Sequence, residues 1–198
     1  VFVYTAGDPP AAKVQPDRRP EIEAWRDRLN VKFGPTFARP LEWDEGAGRS
    51  VVGQPDMKTL QLWVASIDQP EHARQWNRQS IVPAHVTSPD MRARFSHIFS
   101  PPGFWLPAEF DFLIEADDPL GRPTTFGATS SVLRQLEELN AFSWQANAEE
   151  IDDWGLTLPG TEAPLEKAAR HSFYEFYSCA KLAVEYRLPM TLDISPKP

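Results

Sequence analysis

The stretch from Glu162 to Ile194, EAPLEKAARHSFYEFYSCAKLAVEYRLPMTLDI, decides how the chain is read. Leu165, Ala169, Phe173, Phe176, Ala180 and Val184 recur at spacings of three and four, which lays them along one stripe of a helix. That helix is expected over Glu162 to Tyr186. At about 1.5 Å per residue it crosses most of a small domain. Leu188-Pro189 ends it, since proline has no amide hydrogen to continue the ladder. Met190, Leu192 and Ile194 then alternate with polar neighbours, the period of a strand with one buried face.

Outward from this C-terminal unit, Val1 to Thr5 reads as an opening strand, not as a leader peptide, because it lacks a basic lead and soon meets Asp8-Pro9-Pro10. Glu21 to Asn30 carries Ile22, Trp25 and Leu29 at helical spacing, whereas Gly34 to Pro55 is rich in glycine and proline and reads mostly as loop. Lys58 to Ile67 is apolar on both alternating faces and is expected to be a central strand. A weaker strand is expected over Ile81 to Thr87. Ser88-Pro89-Asp90 is a capped helix start, with Met91, Phe95, Ile98 and Phe99 on the following face and Pro101-Pro102-Gly103 as the stop. Phe104 to Ala116 is expected as a strand interrupted at Pro107, with Phe110, Phe112 and Ile114 on one face. Thr129 to Asn140 reads as a helix with Val132, Leu133, Leu136 and Leu139 inward, and Asn147 to Trp154 as a turn or short helix. The whole predicts a single α+β domain over residues 1–198, with a mixed or antiparallel sheet covered by several helices, including the long C-terminal one.

Composition narrows the function classes. With 198 residues, 41% hydrophobic and 24% charged, the chain has the make-up of a packed globular domain. Its 20 prolines imply short elements and long ordered connections. No run approaches the roughly 18 apolar residues of a membrane span. Cys179 is the single cysteine, so neither an internal disulfide nor a multi-thiolate metal site can form, which fits a reducing, cytoplasmic location. The net charge of −8 is uneven: residues 109–153 hold 11 acids against Arg122 and Arg134, while everything after Asp153 balances. Such a field repels nucleic acid and anionic membranes and favours a basic partner or a bound cation.

No phosphate loop, dinucleotide fingerprint, zinc-protease helix or nucleophile elbow is present. No catalytic residue, metal ligand or cofactor is expected. Of the four histidines, only His85 and His97 could meet, with Asp90, as a polar or metal site; separate hydrogen-bonded or exposed histidines are the ordinary alternative. Cys179 reads as a buried thiol. Gly127 to Ser131 enters a helix and suits either a simple cap or an anion on backbone amides. The most distinctive stretch is Glu149-Glu150-Ile151-Asp152-Asp153-Trp154, four carboxylates in five positions beside a tryptophan. It reads in two ways: an acidic patch with an aromatic anchor for a basic protein, or a solubilising loop whose Trp154 folds back into the core. Asp117 and Asp118, before a Pro-Leu-Gly turn, join Glu149, Glu150, Asp152, Asp153 and Trp154 as candidate partner-binding residues.

In size, acidity, single-domain build and lack of catalytic residues, and in the closing run Ala183-Val184-Glu185-Tyr186-Arg187-Leu188-Pro189-Met190-Thr191-Leu192-Asp193, the chain resembles bacterial toxin-immunity proteins. The resemblance implies a non-catalytic cytoplasmic protein that neutralises a cognate toxin by covering its active site. Two other classes compete with it. One is a small-molecule enzyme with a pocket lined by Trp63, Phe104 and Trp105, in which His85, His97 or Glu115 supplies acid–base chemistry. The other is an accessory structural subunit that packs its aromatics against a neighbour.

Overall fold

The computed structural model describes residues 2–4, 19–37, 39–42, 49–53, 55–73, 76 and 87–192. The elements in the first half are β1 (Phe2–Tyr4), α1 (Arg19–Phe33), β2 (Arg49–Gly53), α2 (Met57–Asp68), α3 (Pro70–Ala73), α4 (Pro89–Arg94) and α5 (Ser96–Phe99). The rest are β3 (Phe104–Leu106), β4 (Ile114–Asp117), β5 (Pro123–Ala128), α6 (Thr129–Phe142), α7 (Ala148–Gly155), α8 (Leu165–Glu185) and β6 (Met190–Leu192). This is an α+β fold with a mixed sheet and a long C-terminal helix. It packs as two compact units, the first comprising Val1–Gly53, Pro102–Arg134 and Ser178–Asp193, the second Gln54–Pro101, Gln135–Tyr177 and Ile194–Pro198.

The first unit holds the sheet, which among the described residues has six strands in the order β1-β2-β6-β3-β5-β4. β1–β2, β2–β6 and β3–β5 are parallel, and β3–β6 and β4–β5 antiparallel. The opening and closing strands are present as expected. Three departures concern the strands of this sheet, one being that β5 lies in a stretch for which no element was expected. β2 lies within the stretch read as loop. The expected strand from Phe104 to Ala116 is two strands, β3 and β4, which flank β5 on opposite sides. Residues 107–113 between them leave the sheet, so Phe112 is exposed although Phe110 and Ile114 are buried.

α1 closes one face of this sheet. Trp25 and Leu29 pack into a core with Phe37, Leu41, Leu106, Phe110, Ile114 and Phe126. The Trp25 ring meets Phe126 at 5.8 Å and Phe104 at 6.3 Å, the tilted geometries that suit aromatic quadrupoles. Its indole N–H donates to the Asp117 carbonyl at 2.8 Å, and Lys32 Nζ lies 3.5 Å from the Glu115 carbonyl. β4 is an end strand of the sheet, and these two donors from α1 satisfy carbonyls that its open edge would otherwise present. On β3, Trp105 points opposite to Phe104 and Leu106 and is fully buried, in register with Met190 of β6.

The described part of the second unit is helical. Here the clearest sequence expectation is overturned: Lys58 to Ile67 is not a strand but part of α2. The local reason is a cap. The Asp56 carboxylate accepts the Thr59 N–H at 3.1 Å, closing the first turn. Met57, Leu60, Leu62 and Ala65 are good helix formers, and burial of Met57, Thr59, Leu60, Leu62, Val64 and Ala65 covers so wide an arc that it imitates two apolar strand faces. The cap read at Ser88 is present, with its Oγ accepting the Met91 N–H at 3.3 Å. α4 breaks at Phe95 and α5 follows, ending before the Pro101-Pro102-Gly103 stop. Gln135 of α6 clasps α5, accepting from the His97 N–H and donating to Ser96 Oγ, each at 3.0 Å. The weaker strand expected from Ile81 lies outside the described residues, as does His85.

Candidate functional site

α7 is pinned from both ends and from below. The Asn147 side chain accepts the Glu150 N–H at 3.0 Å while Glu150 Oε2 accepts the Asn147 N–H at 2.8 Å, a complete capping box. Ile151 is buried, and Trp154 turns inward. Its ring meets Trp144 at 5.1 Å and Phe173 at 5.9 Å, both edge-on, within a cluster that continues to Tyr177 through Phe173 and to Trp63 through Trp144. The His171 Nδ1–H donates to the Trp154 carbonyl at 3.0 Å, holding the end of α7 against α8. Trp154 is therefore half-buried, packed against Trp144 and Phe173 within its own unit, and the segment that carries it is a capped helix.

With Ile151 and Trp154 inward, Glu149, Glu150, Asp152 and Asp153 are all exposed. The helix macrodipole favours the two glutamates in the first turn. It disfavours Asp152 and Asp153, which lie in the last. Among the described residues no cation forms an ion pair with any of the four. The acid Asp152 instead acts on Tyr177, whose phenol is pushed above its ordinary pKa by burial first, then by Glu137 and Asp152.

Beside α7 is a groove of about 460 Å³, with Asp153, Trp154, Thr157, Pro164, Lys167 and Arg170 on its walls. The Arg170 guanidinium lies over the Trp154 ring at 5.3 Å and pairs with Glu166 at 2.6 Å. Two leucines that the sequence reading passed over stand on either side of Thr157 in the chain: Leu156 is 80% and Leu158 75% exposed. The signal was present as Leu156-Thr157-Leu158-Pro159-Gly160, an apolar alternation inside a proline–glycine turn, where no core position is available.

The other candidates separate from this site. Asp117 and Asp118 belong to the first unit, Glu149 to Trp154 to the second. Asp117 is exposed at the end of β4. Asp118 is buried, and its carboxylate accepts the N–H of Leu120 at 2.8 Å, that of Arg122 at 2.9 Å and the Arg122 Nε–H at 2.7 Å. Burial works to raise its pKa, but these bonds and the Arg122 charge outweigh it and hold the carboxyl below its ordinary value. Asp118 is thus the clasp of the β4–β5 turn, and its acceptor oxygens face its own backbone.

Phe104, Trp105 and Glu115 lie in the first unit, Trp63 and His97 in the second. Trp105 and His97 are buried, while Glu115 is exposed on β4. Among the described residues no group of His, Cys, Asp and Glu is placed to hold a metal. Cys179 is fully buried. At the start of α6, Ser130 and Ser131 hydroxyls donate to the carbonyls of Ala108 and Phe110, so that segment ties down the β3–β4 connection. Among the described residues no helix is long and apolar enough to cross a membrane.

The comparisons return nothing. No protein-family model matches the chain, and neither a curated protein nor a solved structure matches it. The site therefore rests on its own chemistry.

Proposed function

We propose that this chain is a non-catalytic binding protein whose partner is a basic protein, and that it serves as an immunity protein covering the active site of a cognate toxin. The observation that carries the reading is the position of Asp152 and Asp153. They stand exposed in the last turn of a short capped helix, where the dipole opposes them, and no cation among the described residues forms an ion pair with either. An arrangement that lowers stability without a compensating contact is characteristic of a surface kept for recognition. A cationic partner supplies the missing counter-charge and is steered to it from a distance.

The test is co-expression with the product of the adjacent open reading frame, followed by association kinetics with Glu149→Gln, Asp152→Asn and Asp153→Asn combined. Glu150 stays unchanged because its carboxylate completes the cap. Rescue of growth by the wild type, with association of the triple variant slowed about tenfold or more at low salt, supports the reading. An unchanged rate overturns it.

A further inference from the structure

β3 and β5 are parallel neighbours, and the chain leaving their carboxyl ends brings Pro107 and Thr129 to the wall of one cavity of about 300 Å³. The space outside the carboxyl ends of parallel strands is where such sheets take ligands. Pro40, Pro107 and Val184 make part of the wall apolar, while Arg39, Arg187 and Glu109 carry its charge, an excess of one cation. All of these residues belong to the first unit.

Thr129 is the first residue of α6 and is 2% exposed, yet its hydroxyl makes no hydrogen bond among the described residues. Buried polar groups are nearly always paired, and this residue lines the cavity. α6 is 14 residues long. The amides of its first turn have no acceptor within the helix, and its dipole sets positive charge at that end. The neighbouring hydroxyls are already used, Ser130 on the Ala108 carbonyl and Ser131 on that of Phe110. The Asp111 carboxylate is held by Ser131 and Arg134 and does not line the cavity. Arg39 is exposed and forms no ion pair among the described residues. Arg187 keeps a side chain at φ +49°, a conformation that favours glycine, and its pair with Glu42 at 3.7 Å leaves most of its donors open. The Val184 carbonyl, at the α8 end of the cavity, already accepts the Arg187 N–H.

We propose that this cavity binds a small organic oxyanion, a phosphate or carboxylate compound. The Thr129 hydroxyl and the first-turn amides of α6 take the oxyanion from one side, and the Arg39 and Arg187 guanidiniums supply charge-assisted hydrogen bonds. The apolar part of the wall covers the body of the compound. Glu109 opposes the anion and serves as the internal control. The site lies in the first unit and does not depend on the α7 surface, which belongs to the second.

The experiment titrates the full 15N-labelled chain with inorganic phosphate and with acetate at constant ionic strength, with potassium chloride as the reference. Phosphate or acetate is expected to give saturating amide shifts centred on Ser130 and Ser131, with a Kd of about 1 mM or below, and the tighter of the two names the head group. Thr129→Val removes the hydroxyl alone, and Arg187→Gly removes the guanidinium and relieves the positive φ. Each is expected to weaken binding about fivefold or more while the thermal melt holds or rises, a combination that a merely structural role does not produce. Glu109→Gln is expected to tighten binding about twofold or more. Shifts no larger than those of chloride overturn the proposal, and so does saturable binding that Thr129→Val and Arg187→Gly both leave unchanged. Weaker binding in Glu109→Gln also overturns it, since the occupant is then held through a cationic group.

Discussion

Gly155, at the end of α7, stands so close to the Tyr174 ring of α8 that a Cβ on it would overlap Cε1, Cζ and Cδ1. The missing side chain lets the two helices approach where Trp154 docks. Gly155→Ala is expected to destabilise the protein by about 1–3 kcal/mol through displacement of that ring. Denaturant unfolding measures it, and Tyr174→Ala in the same background should recover part of the loss.

Asp152 and Asp153 oppose the α7 dipole, with no basic residue in the last turn of α7 and no ion pair to either among the described residues. Neutralising both to asparagine is expected to raise stability by about 0.3–1 kcal/mol at low salt, an effect that salt diminishes. A stability gain accompanied by slower partner association is the pattern of residues held for recognition. Thermal melts at two ionic strengths check the first half.

Asp118 clasps the β4–β5 turn through three hydrogen bonds. Asp118→Ala leaves the Leu120 and Arg122 amides without their acceptor and is expected to cost about 2 kcal/mol. The pH dependence has a definite sign. The folded pKa is depressed, so this stabilisation is present above the unfolded value of about 3.9 and is lost as pH falls through the folded one. Acid unfolding followed by circular dichroism should show a shallower limb in Asp118→Asn than in the wild type.

The Tyr177 phenol, raised by burial and then by Glu137 and Asp152, predicts the opposite limb. Below about pH 10 the phenol is neutral in both states and its contribution is full; as pH rises towards the folded pKa the unfolded chain ionises first and stability falls. Tyr177→Phe should therefore unfold later than the wild type in strong alkali. Asp152→Asn should bring the ultraviolet titration of Tyr177 to lower pH.

α8 ends in a Schellman motif built on the wrong residue. The Leu188 N–H donates to the Ala183 carbonyl at 2.8 Å and the Arg187 N–H to the Val184 carbonyl at 3.3 Å, with Arg187 at φ +49° where glycine is preferred. Its ion pair with Glu42, 3.7 Å between exposed side chains, contributes little. Arg187→Gly is expected to stabilise the protein by about 1 kcal/mol, read as a rise in melting temperature.

Elements whose hydrogen bonds close on near neighbours were legible in the chain itself. The Trp25–Leu29 helix, the Ser88 cap, the Val132–Leu139 face and the long Ala169–Phe176–Ala180 stripe all appear where spacing puts them. So does the exposed acidity of residues 149–153, because four adjacent carboxylates cannot be buried without partners. Where sequence reading failed, the deciding contact came from elsewhere. α2 looked like a strand because a helix buried over a wide arc hides its period. β5, Pro-Thr-Thr-Phe-Gly-Ala, has little apolar alternation and is a strand because β3 and β4 pair with it on both sides. By itself the sequence determined an α+β chain with a negative segment and no assembled catalytic motif. Only the tertiary structure decided that Trp154 turns inward, that Asp118 faces its own turn and that Leu156 and Leu158 stay in water. Those outcomes depend on Phe173, on Arg122 and on the absence of a covering element among the described residues, and burial is set by what distant parts of the chain leave room for.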